Sequence, residues 1–132
     1  MIGVVIVTHG ALSTELKKAV EHIVGVQSQM ETLAIEPDDD IEERRQDVLA
    51  ATRKVNTGKG VIVLTDLFGG TPSNLALSTL KTGEVDIIAG VNLPMMVKLA
   101  SVRGSMTLGQ AVEAIEAAAK KYITVASKTL SQ

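Results

Sequence analysis

Apolar residues in this chain arrive in short β-branched runs separated by amphipathic stretches. Ile2-Gly3-Val4-Val5-Ile6-Val7 is continuous, with no polar alternation, the pattern of a strand buried on both faces of a parallel sheet. Leu12, Leu16, Ala19, Val20, Ile23 and Val24 follow at helical spacing, and Gly25 stands where a C-cap belongs. Met30 to Ile35 reads as a second strand. Asp38-Asp39-Asp40 then marks a helix start, where acidic groups favour the positive end of the dipole, and Ile41, Val48 and Val55 share one face of that helix. Asn56-Thr57-Gly58-Lys59-Gly60 ends it. Val61 to Asp66 predicts a third strand. Gly69-Gly70 predicts a turn, with Thr71 as N-cap and Pro72 at the first position of a third helix. Asp86 to Val91 predicts a fourth strand and Asn92 to Ala100 a short helix. Thr107 with Gln110 forms a capping box ahead of a last helix reaching about Lys121. Tyr122-Ile123-Thr124-Val125-Ala126 is β-rich and predicts a short final strand. This alternation implies an α/β fold: a doubly wound, mostly parallel sheet flanked by helices. The last strand is a loose end that can pair with its own sheet or with a neighbouring subunit.

Length makes this one domain, residues 1–132, because 132 residues suffice for a single core and no linker, repeat or low-complexity tract divides them. Two aromatic residues, Phe68 and Tyr122, leave the core to Val, Ile, Leu, Met and Ala and argue against base-stacking platforms. A formal charge of −2 gives no basic field for nucleic acid or anionic lipid. Cysteine is absent, which excludes disulfides and thiolate chemistry. The N-terminus shows no signal peptide and no apolar run is long enough to span a bilayer, so a cytoplasmic location is expected.

Parallel sheets bind ligands beyond the carboxyl ends of their strands, so the residues there come first. His9 follows the first strand and Asp66 the third, and the two strands are expected to be neighbours. A neutral imidazole with one free nitrogen can attack phosphorus, and a carboxylate on its other nitrogen fixes the tautomer and steadies the developing charge. Alternatively, His9 is a hydrogen-bonded structural residue in a turn. Gly69-Gly70-Thr71-Pro72-Ser73-Asn74 has glycines that admit a close ligand, a helix N-terminus that favours phosphate, and two hydroxyls. A plain capping turn is the competing reading; the stretch is neither a P-loop nor a dinucleotide fingerprint. His22, within the first helix, reads as a solvated or dipole-paired residue. Two separated histidines make no metal site, and no cofactor is implied. Pro94, Met95 and Met96 form an adaptable apolar docking surface or, as methionines more often do, pack in the core. Arg103, near the end of the fourth helix, could serve a partner contact, although nothing in the spacing requires one.

Three blocks carry a family resemblance. Ile2 to Gly10, Leu64 to Asn74 and Ile88 to Met95 together are similar, in order and spacing, to the enzyme IIA component of the mannose family of the bacterial phosphotransferase system, and the similarity runs over essentially the whole chain. The resemblance implies a phosphoryl carrier. His9 would take the group from the phosphocarrier protein HPr and pass it to a IIB component during sugar uptake. Asp66 would orient the ring. The Thr71 hydroxyl and nearby backbone amides would contact the phosphoryl group; beside what the resemblance implies, Thr8, Gly70 and Ser73 are further phosphoryl-binding candidates, and Phe68 with Pro94, Met95 and Met96 are the partner-docking candidates. The resemblance also implies a homodimer in which the strand at Tyr122 to Ala126 crosses to the partner. The chain stops at Gln132 without a linker or IIB domain, which implies a separate IIB protein or a regulatory target. Two further readings stay open: a purely regulatory phospho-dependent binding module, and the phosphoryl-donor subunit of dihydroxyacetone kinase. A receiver domain fits poorly, since no acidic pair follows the first strand.

Overall fold

A computed structural model describes residues 1–131. The elements alternate as β1 (Gly3–His9), α1 (Leu12–Val24), β2 (Met30–Ile35), α2 (Ile41–Val55), β3 (Val61–Thr65), α3 (Gly70–Leu77) and β4 (Val85–Ala89); α4 (Leu93–Val102), α5 (Leu108–Lys121) and the short α6 (Ala126–Leu130) follow. All four strands are parallel, in the order β2-β1-β3-β4. The two most continuous apolar runs, β1 and β3, are therefore the central pair, as their lack of alternation requires.

Period-two alternation divides β1 between two cores. Val4 and Ile6 join Val20 of α1, Met95, Met96 and Leu99 of α4, and Ile115 of α5. Val5 and Val7 turn the other way and join Val48 and Val55 of α2 with Leu75 and Ala76 of α3. The same alternation, carried to the end of the strand, sends Thr8 to the α1 side and His9 to the α2/α3 side. α1 begins at Ala11 with no side-chain cap of its own, and the buried Thr8 hydroxyl supplies one by accepting from Ser13 N–H at 2.7 Å.

Most helix ends obey the local signals. Asp40 caps α2 and accepts from Glu43 N–H, Asn92 caps α4 and accepts from Met95 N–H, and Thr107 with Gln110 forms the expected box on α5. Three expectations need correction. First, α3 starts at Gly70, not after a Thr71 cap, because Gly69 and Gly70 adopt φ of 94° and 83° and swing the chain into the helix before Thr71 is reached. Second, Tyr122 to Ala126 forms no strand: Tyr122 caps α5, the next residues are irregular, and α6 begins at Ala126. Strand propensity alone does not make a strand: this segment pairs with neither open edge of the sheet, β2 or β4. Third, Arg103 is not a surface contact. It is 2% exposed, and its guanidinium donates to the Ile2 carbonyl at 3.0 Å, Gln27 Oε1 at 3.2 Å and the Gln29 carbonyl at 2.7 Å, tying the end of α4 to the strand entrances. Burial lowers its pKa from the usual arginine value.

Candidate functional site

β1 outruns β3 at the carboxyl edge. Their register ends at Val7 opposite Thr65, so the His9 N–H finds no strand carbonyl there. Asp66, the first residue after β3, fills the gap with its side chain. Its Oδ2 accepts the His9 backbone N–H at 3.0 Å and also lies 2.8 Å from His9 Nδ1. One carboxylate oxygen thus fixes both the strand end and the ring. A carboxylate only accepts, so Nδ1 carries a proton and donates, and in the neutral ring Nε2 keeps its lone pair free.

Exposure separates the two partners. The Asp66 side chain is 11% exposed and the His9 side chain 55%. Burial pushes the Asp66 pKa up, but the hydrogen bonds from the His9 ring and backbone N–H, with the imidazole's charge, outweigh it and hold the carboxyl below its ordinary value. The base that orients the ring is therefore ionised across the physiological range.

The start of α3 adjoins the free edge of the ring. A Cβ placed on Gly70 would lie 3.6 Å from both Cε1 and Nε2 of His9. Its positive φ is a conformation that side chains rarely adopt, so glycine is required there for the turn. The first N–H groups of α3 have no intrahelical acceptor and the helix has no side-chain cap. Positive partial charge thus meets the imidazole nitrogen that bears a free lone pair. Thr71 is half-buried in this first turn; Ser73 is 1% exposed, and its Oγ has no partner.

His9, Asp66 and Gly70 therefore come together, and Thr71 follows Gly70 in the first turn of α3. Thr8 does not join them: its hydroxyl serves α1 on the other side of the sheet, as strand alternation dictates. Met95 and Met96, at 2% and 0% exposure, are core residues facing β1 and β3, because they lie on the buried stripe of α4. Pro94 lines a groove of about 710 Å³ between α4 and α5, on the sheet face opposite His9. Phe68 is 77% exposed in the loop that carries Asp66, beside Leu67 at 52%. Sequence reasoning missed Leu67 as a surface residue and placed Leu12 on a buried helix face, whereas Leu12 is 46% exposed three residues after His9. The available signal was the Leu-Phe pair in a loop beyond a strand, where an apolar pair has no core to enter. His22 is exposed near the C-terminal end of α1. Among the described residues no three His, Asp or Glu side chains converge as a metal site would require, and no helix is long and apolar enough to cross a membrane.

Comparison with known proteins follows the same outline. A family model described as PTS system fructose IIA component matches residues 3–116. The chain is 35% identical over 103 residues to the PTS system mannose-specific EIIAB component of Escherichia coli K12, covering 77% of this chain but 32% of that protein. It therefore spans about a third of that relative's length. It is 28% identical over 133 residues to the PTS system fructose-specific EIIA component of Bacillus subtilis 168, covering 100% of this chain and 91% of that one. Among solved structures, the PTS IIA protein associated with the fucose utilization operon of Streptococcus pneumoniae superposes with a TM-score of 0.87 at 30% identity, covering 97% of this chain and 95% of that chain. Phosphotransferase system component EIIA from Streptococcus agalactiae gives 0.84 at 27% identity, covering 97% and 99%.

Proposed function

The chain belongs to the EIIA-man family, the fructose IIA components of the PTS, and from that membership we propose that it carries a phosphoryl group on His9, received from phospho-HPr and handed to a IIB component for sugar uptake. One observation carries the reading. His9 Nδ1 donates to a largely buried carboxylate at 2.8 Å while the ring stays 55% exposed. That is an imidazole locked in one tautomer with its nucleophilic nitrogen accessible to a visiting protein.

In this mechanism the Nε2 lone pair of His9 forms the new N–P bond as the donor's N–P bond breaks, and that electron pair returns to the donor's ring. The proton on Nδ1 stays on His9, and Asp66 stabilises the positive charge that grows on the imidazole. The open N–H groups at Gly70 and Thr71, with the Thr71 hydroxyl, receive the phosphoryl oxygens. Phe68 and Leu67 supply an apolar contact for HPr and for the acceptor, an arrangement suited to a macromolecular donor that brings its own walls. The segment from Tyr122 to Leu130 exposes Tyr122, Ile123, Val125 and Leu130 at 59%, 75%, 52% and 83%, and we assign its cover to a second copy in a homodimer. The site works in the cytoplasm, where HPr is found.

The test is incubation with phosphoenolpyruvate, enzyme I and HPr, followed by addition of a IIB protein. Label on this chain that moves to IIB supports transport. Label that no IIB accepts turns the reading to a regulatory target, and label that moves only to the nucleotide-bearing subunit of dihydroxyacetone kinase turns it to that pathway.

A further inference from the structure

Building on the carrier reading, we propose that Arg44 is a second phosphoryl-holding group, whose guanidinium pairs with the dianion on His9 and sets how firmly the carrier keeps its cargo. The placement comes from the stripe of α2 that faces the sheet. Val55, Thr52 and Val48 are buried along it, and Arg44 is the next position one turn towards the helix start. Val48 shares its core with Val7 of β1. One helical turn beyond Val48 advances about 5.4 Å, and two strand residues beyond Val7 advance about 6.6 Å, in the same direction and on the same sheet face. The first step ends at Arg44 and the second at His9. Arg44 therefore occupies, at the rim, the place in the α2 stripe where a core residue would otherwise stand.

Its present bonding leaves capacity unused. Nη2 pairs with Asp47 at 2.6 Å, while Nε is buried with no partner. Ser73 Oγ, in the opening turns of the adjacent α3, is likewise buried without a partner. Buried donors left unpaired destabilise a fold unless something satisfies them in another state. A phosphoryl group brings three acceptor oxygens and nearly two negative charges. The charged groups around it are otherwise unfavourable: Asp66 holds the ring, and Glu36 with Asp38, Asp39 and Asp40 crowds the link from β2 to α2. Arg45, three positions before Val48, also borders this face and pairs with Glu42, but it holds no buried unpaired donor. Among the described residues, Arg44 is the α2 cation whose guanidinium keeps a buried N–H without a partner.

The experiment reads the equilibrium constant for transfer between phospho-HPr and this chain, which is independent of how tightly the two proteins dock. Arg44→Gln lowers it by about tenfold, the factor one charge-assisted hydrogen bond is worth, and added salt then changes it less than in wild type. Arg44→Lys, which keeps the charge without the fork, restores most of the loss; a purely structural role would not be rescued by charge. Asp47→Asn, which releases the guanidinium, raises the constant and reads the same contact should Arg44→Gln unfold. Equal constants for wild type, Arg44→Lys and Asp47→Asn, with Arg44→Gln unfolded or within twofold of wild type, overturn the proposal and leave His9 as carrier. A wild-type chain that takes no phosphoryl group overturns both readings.

Discussion

Asp66→Asn changes one charge and almost no volume, and it separates orientation from nucleophilicity at His9. Asp66 Oδ2 accepts two hydrogen bonds from the same residue, at 3.0 Å from the backbone and 2.8 Å from the ring. Because one oxygen accepts both, an asparagine oxygen in that place sets the amide group against the Leu67 N–H that Asp66 Oδ1 accepts at 3.1 Å, donor facing donor; turned over, the amide meets Nδ1 as a donor and drives the ring proton to Nε2, onto the lone pair that the proposed transfer needs. The variant also loses the charge that stabilises the imidazolium during transfer. A hydrogen bond to a charged group is worth about 2–3 kcal/mol when largely shielded from water, which predicts a transfer rate about 30- to 150-fold below wild type. The assay is the initial rate of phosphoryl transfer from phospho-HPr at pH 7.5. It is paired with imidazole nitrogen NMR, which should show Nδ1–H in wild type and a shift of population towards Nε2–H in the variant. A folded Asp66→Asn protein that transfers within threefold of wild type would refute the orienting role.

Other expectations follow from the same geometry. The stability difference between wild type and Asp66→Asn should be full above about pH 4, the ordinary carboxylate range, and disappear as pH falls through the lower folded value of Asp66; chemical denaturation at stepped pH measures it. Gly70→Ala should cost about 1–2 kcal/mol in a urea melt, since its φ is 83°, and should slow labelling because the added Cβ lies 3.6 Å from Nε2. Phe68→Ala, at a residue 77% exposed, should leave the melting temperature unchanged and raise KM for phospho-HPr several-fold with little change in kcat. Arg103→Ala should destabilise by about 3 kcal/mol, because it strips three hydrogen bonds from a buried junction, and the folded fraction should label at the normal rate.

The architecture was legible where local chemistry and tertiary packing agree. The unbroken apolar runs at Ile2 to Val7 and Val61 to Leu64 identified the central strands, and the order of elements brought His9 and Asp66 to neighbouring ends. What escaped depends on facts that a linear pattern does not carry. Thr8 stands next to His9 in sequence yet faces the opposite core, because adjacent strand residues do. Met95 and Met96 read as a docking surface or, more commonly for methionine, as core, and the position of α4 against the sheet decides for the core. Arg103 reads as a free cation until the chain returns Ile2 and Gln29 to its side, 101 and 74 residues away. Leu12 has the spacing of a core residue but lies at the rim, where the helix has already passed the edge of its sheet. The β-rich tail shows the reverse: residues 122–126 have strand propensity without a strand, because propensity counts only where a ladder forms, and this segment joins neither edge of the sheet.

The most direct measurement of the central claim is to locate the phosphate after incubation with phosphoenolpyruvate, enzyme I and HPr. Nitrogen-15 and phosphorus-31 NMR on the intact protein should show one acid-labile, base-stable phosphate on Nε2 of His9, and His9→Ala should take none. Label on His22 or on a hydroxyl residue, or undiminished label in His9→Ala, would contradict the account.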